Sequence, residues 1–144
     1  MNKSELIRLA FKARENAYTP YSNFKVGAAL LAKNGKIYQG CNIENATYSP
    51  TNCAERTAFF KAVSEGVREF NAIAIVGGLE TTKNGEFEYT PPCGVCRQVM
   101  MEFCDYDNFT VILAKSEQEY KEYKLSEINT LKTILLTFFL RHTT

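Results

Sequence analysis

The chain has 144 residues, 45% of them hydrophobic and 23% charged, with Lys+Arg 17 against Asp+Glu 16 and a net charge of +1. These are single-domain values, so residues 1–144 are expected to form one domain with its own core. The balanced charge argues against a protein held to nucleic acid or anionic lipid by its overall field, and no apolar run approaches the ~18 residues of a membrane span. Residues 1–17 mix charges with apolar residues and lack a signal-type apolar segment, so a cytoplasmic location is expected. In that setting five cysteines fit metal binding or catalysis better than a disulfide framework.

Leu6, Leu9, Ala10, Ala13 and Ala17 make an amphipathic stripe, predicting a helix over residues 4–17 with Ser4 as N-cap. Thr19-Pro20 breaks it. Phe24 to Ala32 reads as a mostly apolar strand, and Ile37 to Ile43 as its hairpin partner, with Asn34-Gly35 predicting a type I′ turn. Pro50-Thr51-Asn52 precedes a helical run from Cys53 to Ser64, stopped by Gly66. Ala72 to Val76 reads as a buried strand ended by Gly77-Gly78, and residues 79–90 as a loop or surface hairpin. Pro91-Pro92 opens a second helical run from Cys93 to Cys104. Phe109 to Ala114 is a further apolar strand, and residues 119–124 a polar edge strand. Residues 126–140 end strongly apolar and could form a last helix. The order is that of a mixed α/β domain.

The one histidine is His142, third from the end. That excludes HExxH sites, histidine-rich zinc sites and Ser-His or Cys-His hydrolase sites, all of which need an imidazole in the fold's interior. Acid–base work falls to carboxylates, Lys, Tyr or Cys. Cys93-Gly94-Val95-Cys96 by itself could be a redox pair, half a zinc site or two inert thiols. Cys53-Ala54-Glu55-Arg56 decides between them, because it too opens a helix. Helix N-termini favour thiolates. Three thiolates with an open fourth position describe a catalytic zinc site, so Cys53, Cys93 and Cys96 are assigned as ligands of one Zn²⁺ per chain. Cys41 and Cys104 are expected to be buried and inert.

Glu55 lies two residues after a ligand, and mid-helix residues two apart do not face each other. It can share a metal with Cys53 only if Cys53 sits at the helix end, which the signals at residues 50–52 imply. Three thiolates on Zn²⁺ leave a site of −1. That charge opposes ionisation of a bound water, and Arg56 beside a sulfur would offset it.

With Pro92 before Cys93 and Arg97-Gln98 after Cys96, the two segments resemble the zinc motifs of the small cytidine deaminases. So do Asn42-Ile43-Glu44-Asn45-Ala46 and the stretch from Tyr21 to Leu30. The general chemistry of zinc deaminases is a known pattern. The resemblance covers roughly residues 4–114. It implies a three-layer α-β-α fold around a five-stranded mixed sheet, usually assembled as a homotetramer with shared active sites. It also implies hydrolytic deamination of free cytidine and deoxycytidine in pyrimidine salvage. Water activated by zinc would attack C4 while Glu55 shuttles protons. Asn42 and Glu44 would bind the ribose hydroxyl, Phe24 would pack on base or ribose, the Ala54 N–H would hold the base carbonyl, and Tyr48 would reach a neighbouring subunit's site. An alternative substrate is a related aminated nucleoside of the blasticidin type.

Two departures stand out. The loop at 79–90 is longer than the family pattern. Leu135-Leu136 is followed by Thr137-Phe138-Phe139-Leu140 rather than by Pro and a single Phe. Either Phe138 or Phe139 replaces the family's intersubunit aromatic, or Ser126-Glu127-Ile128 is the true equivalent and residues 129–144 are extra.

Overall fold

The computed structural model describes residues 1–128. The elements run α1 (Lys3–Arg14), β1 (Phe24–Ala32), β2 (Ile37–Cys41), α2 (Ala54–Ser64), β3 (Phe70–Leu79), α3 (Gly94–Phe103), β4 (Thr110–Ala114) and β5 (Tyr120–Lys124). The strands form one sheet in the order β2-β1-β3-β4-β5. Strand β1 is antiparallel to β2 and β3, β3 is parallel to β4, and β4 is antiparallel to β5. The parallel pair needs a crossover, and α3 supplies it.

Side-chain alternation splits the core between the two faces of the sheet. Leu30, Ile73, Ile75, Val111 and Leu113 meet Ala58 and Phe59 of α2 and Met100 of α3. Ala29, Ala74, Val76 and Ile112 meet Leu6, Ile7 and Ala10 of α1. The expected three-layer mixed α/β architecture is therefore present. Phe59 is fully buried and packs edge-on to Phe70 at 5.1 Å. Truncating such a side chain to Ala costs about 3–5 kcal/mol.

Helix α2 lies very close to β2. A Cβ on Gly40 would stand 2.3 Å from the Ala54 carbonyl oxygen and 2.6 Å from the Ala58 nitrogen. Only glycine lets the first turn of α2 rest there, and that turn carries the Cys53-Ala54-Glu55-Arg56 segment.

Several local expectations are corrected. The N-cap of α1 is Asn2, whose side chain accepts from the Glu5 N–H, while the Ser4 hydroxyl donates to Glu117. The helix closes at Arg14, short of the expected Ala17, and Ala17 is buried beyond it. In the β1–β2 turn only Gly35 has positive φ, at 92°, so this is not a type I′ turn. The Gly35 N–H bonds Ala32 O and the Ala32 N–H bonds Lys36 O, giving the three-residue loop with a left-handed glycine. Strand β2 stops at Cys41, and Ile43 instead makes isolated bridges to Tyr18 and Asn52.

Strand β3 does not end at Gly77-Gly78 but runs through both. Those glycines are where the following loop packs: a Cβ would meet Thr90 at 2.6 Å and Phe87 at 2.9 Å respectively. The loop is pinned there by a Gly77–Glu88 bridge. Residues 125–128 are helical, with Leu125 and Ile128 buried. The question of Phe138, Phe139 and the tail beyond Ile128 lies outside the described residues.

Candidate active site

Two of the three expected zinc ligands occupy the same position on different helices. Cys53 is the N-cap of α2 and Cys93 the N-cap of α3, both with extended backbone. Cys96 follows one turn into α3 and is buried. The Cys93 sulfur accepts from the Cys96 N–H at 3.4 Å. The Cys53 sulfur makes no cap bond and accepts instead from Arg56 Nη2 at 3.2 Å. The sulfurs of Cys53 and Cys93 are 3.7 Å apart and those of Cys93 and Cys96 3.3 Å apart, with all three within 4.8 Å of one another. A tetrahedral zinc with Zn–S about 2.3 Å sets its sulfurs ~3.8 Å apart, so this cluster fits the ion.

Electrostatics inside the cluster follow from crowding. The Cys53 thiol is held down to about 5, first by a hydrogen bond with Cys96 and then by the Arg56 guanidinium and Cys93. Cys96 moves the opposite way, pushed up by that same bond and by burial. The proton-poor Cys53 sulfur is thus held between the Cys96 thiol, which keeps its proton, and the Arg56 guanidinium. Burial works against the charge on Arg56, but the Cys53 and Cys96 sulfurs more than offset it and its pKa is raised.

Glu55 is only 4% exposed. Its carboxyl is pushed up to about 7, mainly by burial and next by the negative charge on Cys53, and it interacts with the Cys96 thiol. A general acid–base group works best with a pKa near the operating pH. Buried in the first turn of α2, Glu55 is not a solvated acid that merely faces the helix dipole.

The expected substrate-wall residues lie on segments stitched to this helix. Backbone bonds between Ile43 and Asn52, in both directions at 2.9 Å, bring residues 42–44 beside the N-cap of α2. Asn42 uses its side-chain amide on β1, accepting from the Val26 N–H at 2.8 Å and donating to Phe24 O at 2.8 Å. Glu44 accepts from the Tyr21 and Ser22 N–H groups and from the Ser22 hydroxyl at 2.5 Å. Those bonds, led by the hydroxyl, hold its carboxyl below the usual carboxylate range. Phe24, at the start of β1, is 37% exposed. Ala54 is the first residue of α2, where a backbone N–H has no intrahelical acceptor.

Tyr48 stands apart. It is 79% exposed with a left-handed φ of 59°, an uncommon state for a bulky residue. Cys41 is half-buried rather than buried, and burial raises its pKa. Cys104 is also half-buried, with its thiol pushed up to about 12 by burial.

Two residues with no role expected from sequence, Ser22 and Thr57, hold these segments together. The Thr57 hydroxyl sits 3.0 Å from Cys41 O, 3.1 Å from Cys53 O and 3.2 Å from the Asn52 amide, tying the end of β2 to the start of α2. The available signal for Ser22 was its place two residues before Phe24, the spacing of a serine bonding the backbone ahead of it.

A three-thiol cluster at two helix N-termini, with an adjacent buried carboxyl, is the donor set of an open zinc site in a hydrolytic enzyme class. The family model described as "Cytidine and deoxycytidylate deaminase zinc-binding region" matches residues 1–112, and the chain belongs to this zinc-binding family. It is 60% identical over 105 residues to a cytidine deaminase of Sporosarcina psychrophila, covering 73% of this chain and 72% of that one. It is 50% identical over 128 residues to a cytidine deaminase of Halalkalibacterium halodurans, covering 89% and 91%. A solved cytidine deaminase from Burkholderia pseudomallei superposes with TM-score 0.75 at 45% identity, covering 86% of this chain and 93% of that one. One from Mycobacterium tuberculosis superposes at 0.69 and 31%, covering 91% and 94%. No helix among the described residues is long and apolar enough to cross a membrane.

Proposed function

We propose that this chain hydrolyses free cytidine and deoxycytidine to uridine and deoxyuridine with release of ammonia, one water being consumed per turnover. The observation that carries the reading is the buried Glu55 carboxyl beside the Cys53, Cys93 and Cys96 sulfurs. Those three sulfurs would hold the zinc. Bound there, the metal supplies Lewis acidity that brings a water's pKa toward neutrality.

Glu55 then does the proton work. With its pKa pushed up to about 7, the carboxylate takes a proton from the attacking water and delivers it to N3 of the pyrimidine. Once the water oxygen has bonded to C4, Glu55 moves the remaining proton from that new hydroxyl to the amine; the C4–N bond breaks, the C4 carbonyl forms and ammonia leaves. Arg56, on the Cys53 sulfur, offsets the site's excess negative charge. The Ala54 N–H faces the base carbonyl, Phe24 packs on base or ribose, and Asn42 and Glu44 take the ribose hydroxyl.

The proposal extends to the whole chain as one domain and to a cytoplasmic homotetramer serving pyrimidine salvage. The exposed Tyr48 supports the assembly, because a strained, 79% exposed aromatic suits a neighbouring subunit's site. A free nucleoside rather than a nucleic acid fits the near-neutral charge. Glu55→Gln tests the core of the reading. It should keep one zinc per chain and lose roughly 10²–10⁴-fold in kcat. A zinc-loaded Glu55→Gln protein with normal turnover would remove Glu55 from the mechanism.

A further inference from the structure

Two of the proposed nucleoside contacts, Phe24 and Glu44, come from segments twenty residues apart in sequence, and one small side chain joins them. The Ser22 hydroxyl donates to Glu44 Oε2 at 2.5 Å and accepts from the Phe24 N–H at 3.1 Å. The Ser22 N–H adds a bond to Glu44 Oε1 at 3.2 Å, beside that of the Tyr21 N–H at 3.0 Å. A hydroxyl has one proton and two lone pairs, so this geometry uses its donor and one acceptor at once. Asn23, between the two bonds, holds a left-handed φ of 56°. That turn brings the Phe24 N–H back onto the serine oxygen.

From this arrangement we infer that Ser22 is a positioning residue for nucleoside binding, fixing the Glu44 carboxylate and the start of β1 in one geometry. The inference rests on the deaminase reading above. Without the hydroxyl, Glu44 keeps its two backbone donors but loses the group that orients its second oxygen. The Phe24 N–H loses its acceptor. Both effects fall on how the ribose is held rather than on the proton transfers at Glu55. A hydrogen bond to a charged group matters more than one between neutral groups, so the loss is expected as a rise in KM of roughly tenfold. The position is exposed and carries no core packing.

The test is steady-state kinetics on cytidine with zinc-loaded Ser22→Ala, Ser22→Thr, Glu44→Ala and the Ser22→Ala/Glu44→Ala double variant. Zinc content and a thermal melt are recorded for each. The expected result is a raised KM for Ser22→Ala with kcat within about twofold, and recovery with Ser22→Thr, which restores the hydroxyl. In the double variant the part of the serine effect that runs through Glu44 should vanish, so the serine change should raise KM less on Glu44→Ala than on the native protein, because coupled residues are not additive. Two results overturn the inference in different ways. If Glu44→Ala raises KM and Ser22→Ala leaves it within twofold, Ser22 does not position Glu44. If neither variant changes KM while Glu55→Gln remains inactive, Glu44 does not hold the nucleoside and the ribose-binding part of the reading falls with it.

Discussion

Gly40 offers a way to move the helix that carries Glu55 without touching the proposed chemistry. Its missing Cβ would sit 2.3 Å from Ala54 O, about 1 Å short of an ordinary contact in an interior that has no slack. Gly40→Ala must therefore push the first turn of α2 away from β2 by on the order of 1 Å. Overpacking of this kind costs about 1–3 kcal/mol, or a Tm fall of roughly 4–12 °C at ~4 °C per kcal/mol. The displaced turn carries Cys53, Glu55 and Arg56, and a misplacement of ~1 Å can cost 10²-fold in rate. The assay is a thermal melt with zinc content and kcat on cytidine. Gly66→Ala is the control. It has a φ of +88° with nothing within 4 Å, so it should lose about 1 kcal/mol of stability through backbone strain and no kcat. A Gly40→Ala protein with unchanged Tm and kcat would refute the close-contact argument. A lowered Tm with unchanged kcat would show that the seat of α2 on β2 does not set the site.

Arg56→Ala removes the guanidinium from the Cys53 sulfur and should lower zinc affinity or turnover by about 10–100-fold; competition with a zinc chelator reads the first, kcat the second. Chelation of the native protein at neutral pH should free three further thiols, Cys53, Cys93 and Cys96, for alkylation; unchanged thiol counts by mass spectrometry would contradict the ligand assignment. Cys104 has a folded pKa raised from 9.0 to about 12, so its contribution to stability is complete below the unfolded value. That contribution is lost as pH rises from about 9 through 12, with a slope of up to ~1.4 kcal/mol per pH unit. Cys104→Ala should flatten that part of a urea-unfolding series against pH; an unaltered slope would rule this out.

The fold class and the metal centre were legible because their signals are chemical and short-range. Cys53-Ala54-Glu55-Arg56 behind a proline turn, and Cys93 to Cys96 behind Pro91-Pro92, each place sulfur at a helix start, and the structure puts both there. The apolar runs of β3 and β4 were equally clear, since both strands are covered on two faces. What escaped was decided by distant partners. Asn2 and Ser4 are both capping types, and Ser4 is drawn away by Glu117, 113 residues on. Gly77-Gly78 reads as a stop until Thr90 and Phe87 are seen packed on it. Asn-Gly predicts two left-handed residues, and the hairpin needs only Gly35 in that state. The burial of Glu55 depends on both helices converging and no local pattern encodes it. Ser22 acquires meaning only when Glu44 arrives beside it.

The most direct measurement is the ultraviolet absorbance of free cytidine incubated with the zinc-loaded protein, with ammonia assayed in parallel. The account predicts loss of cytidine's long-wavelength band with one ammonia formed per nucleoside consumed. Unchanged absorbance and no ammonia from a protein carrying one zinc per chain would contradict it.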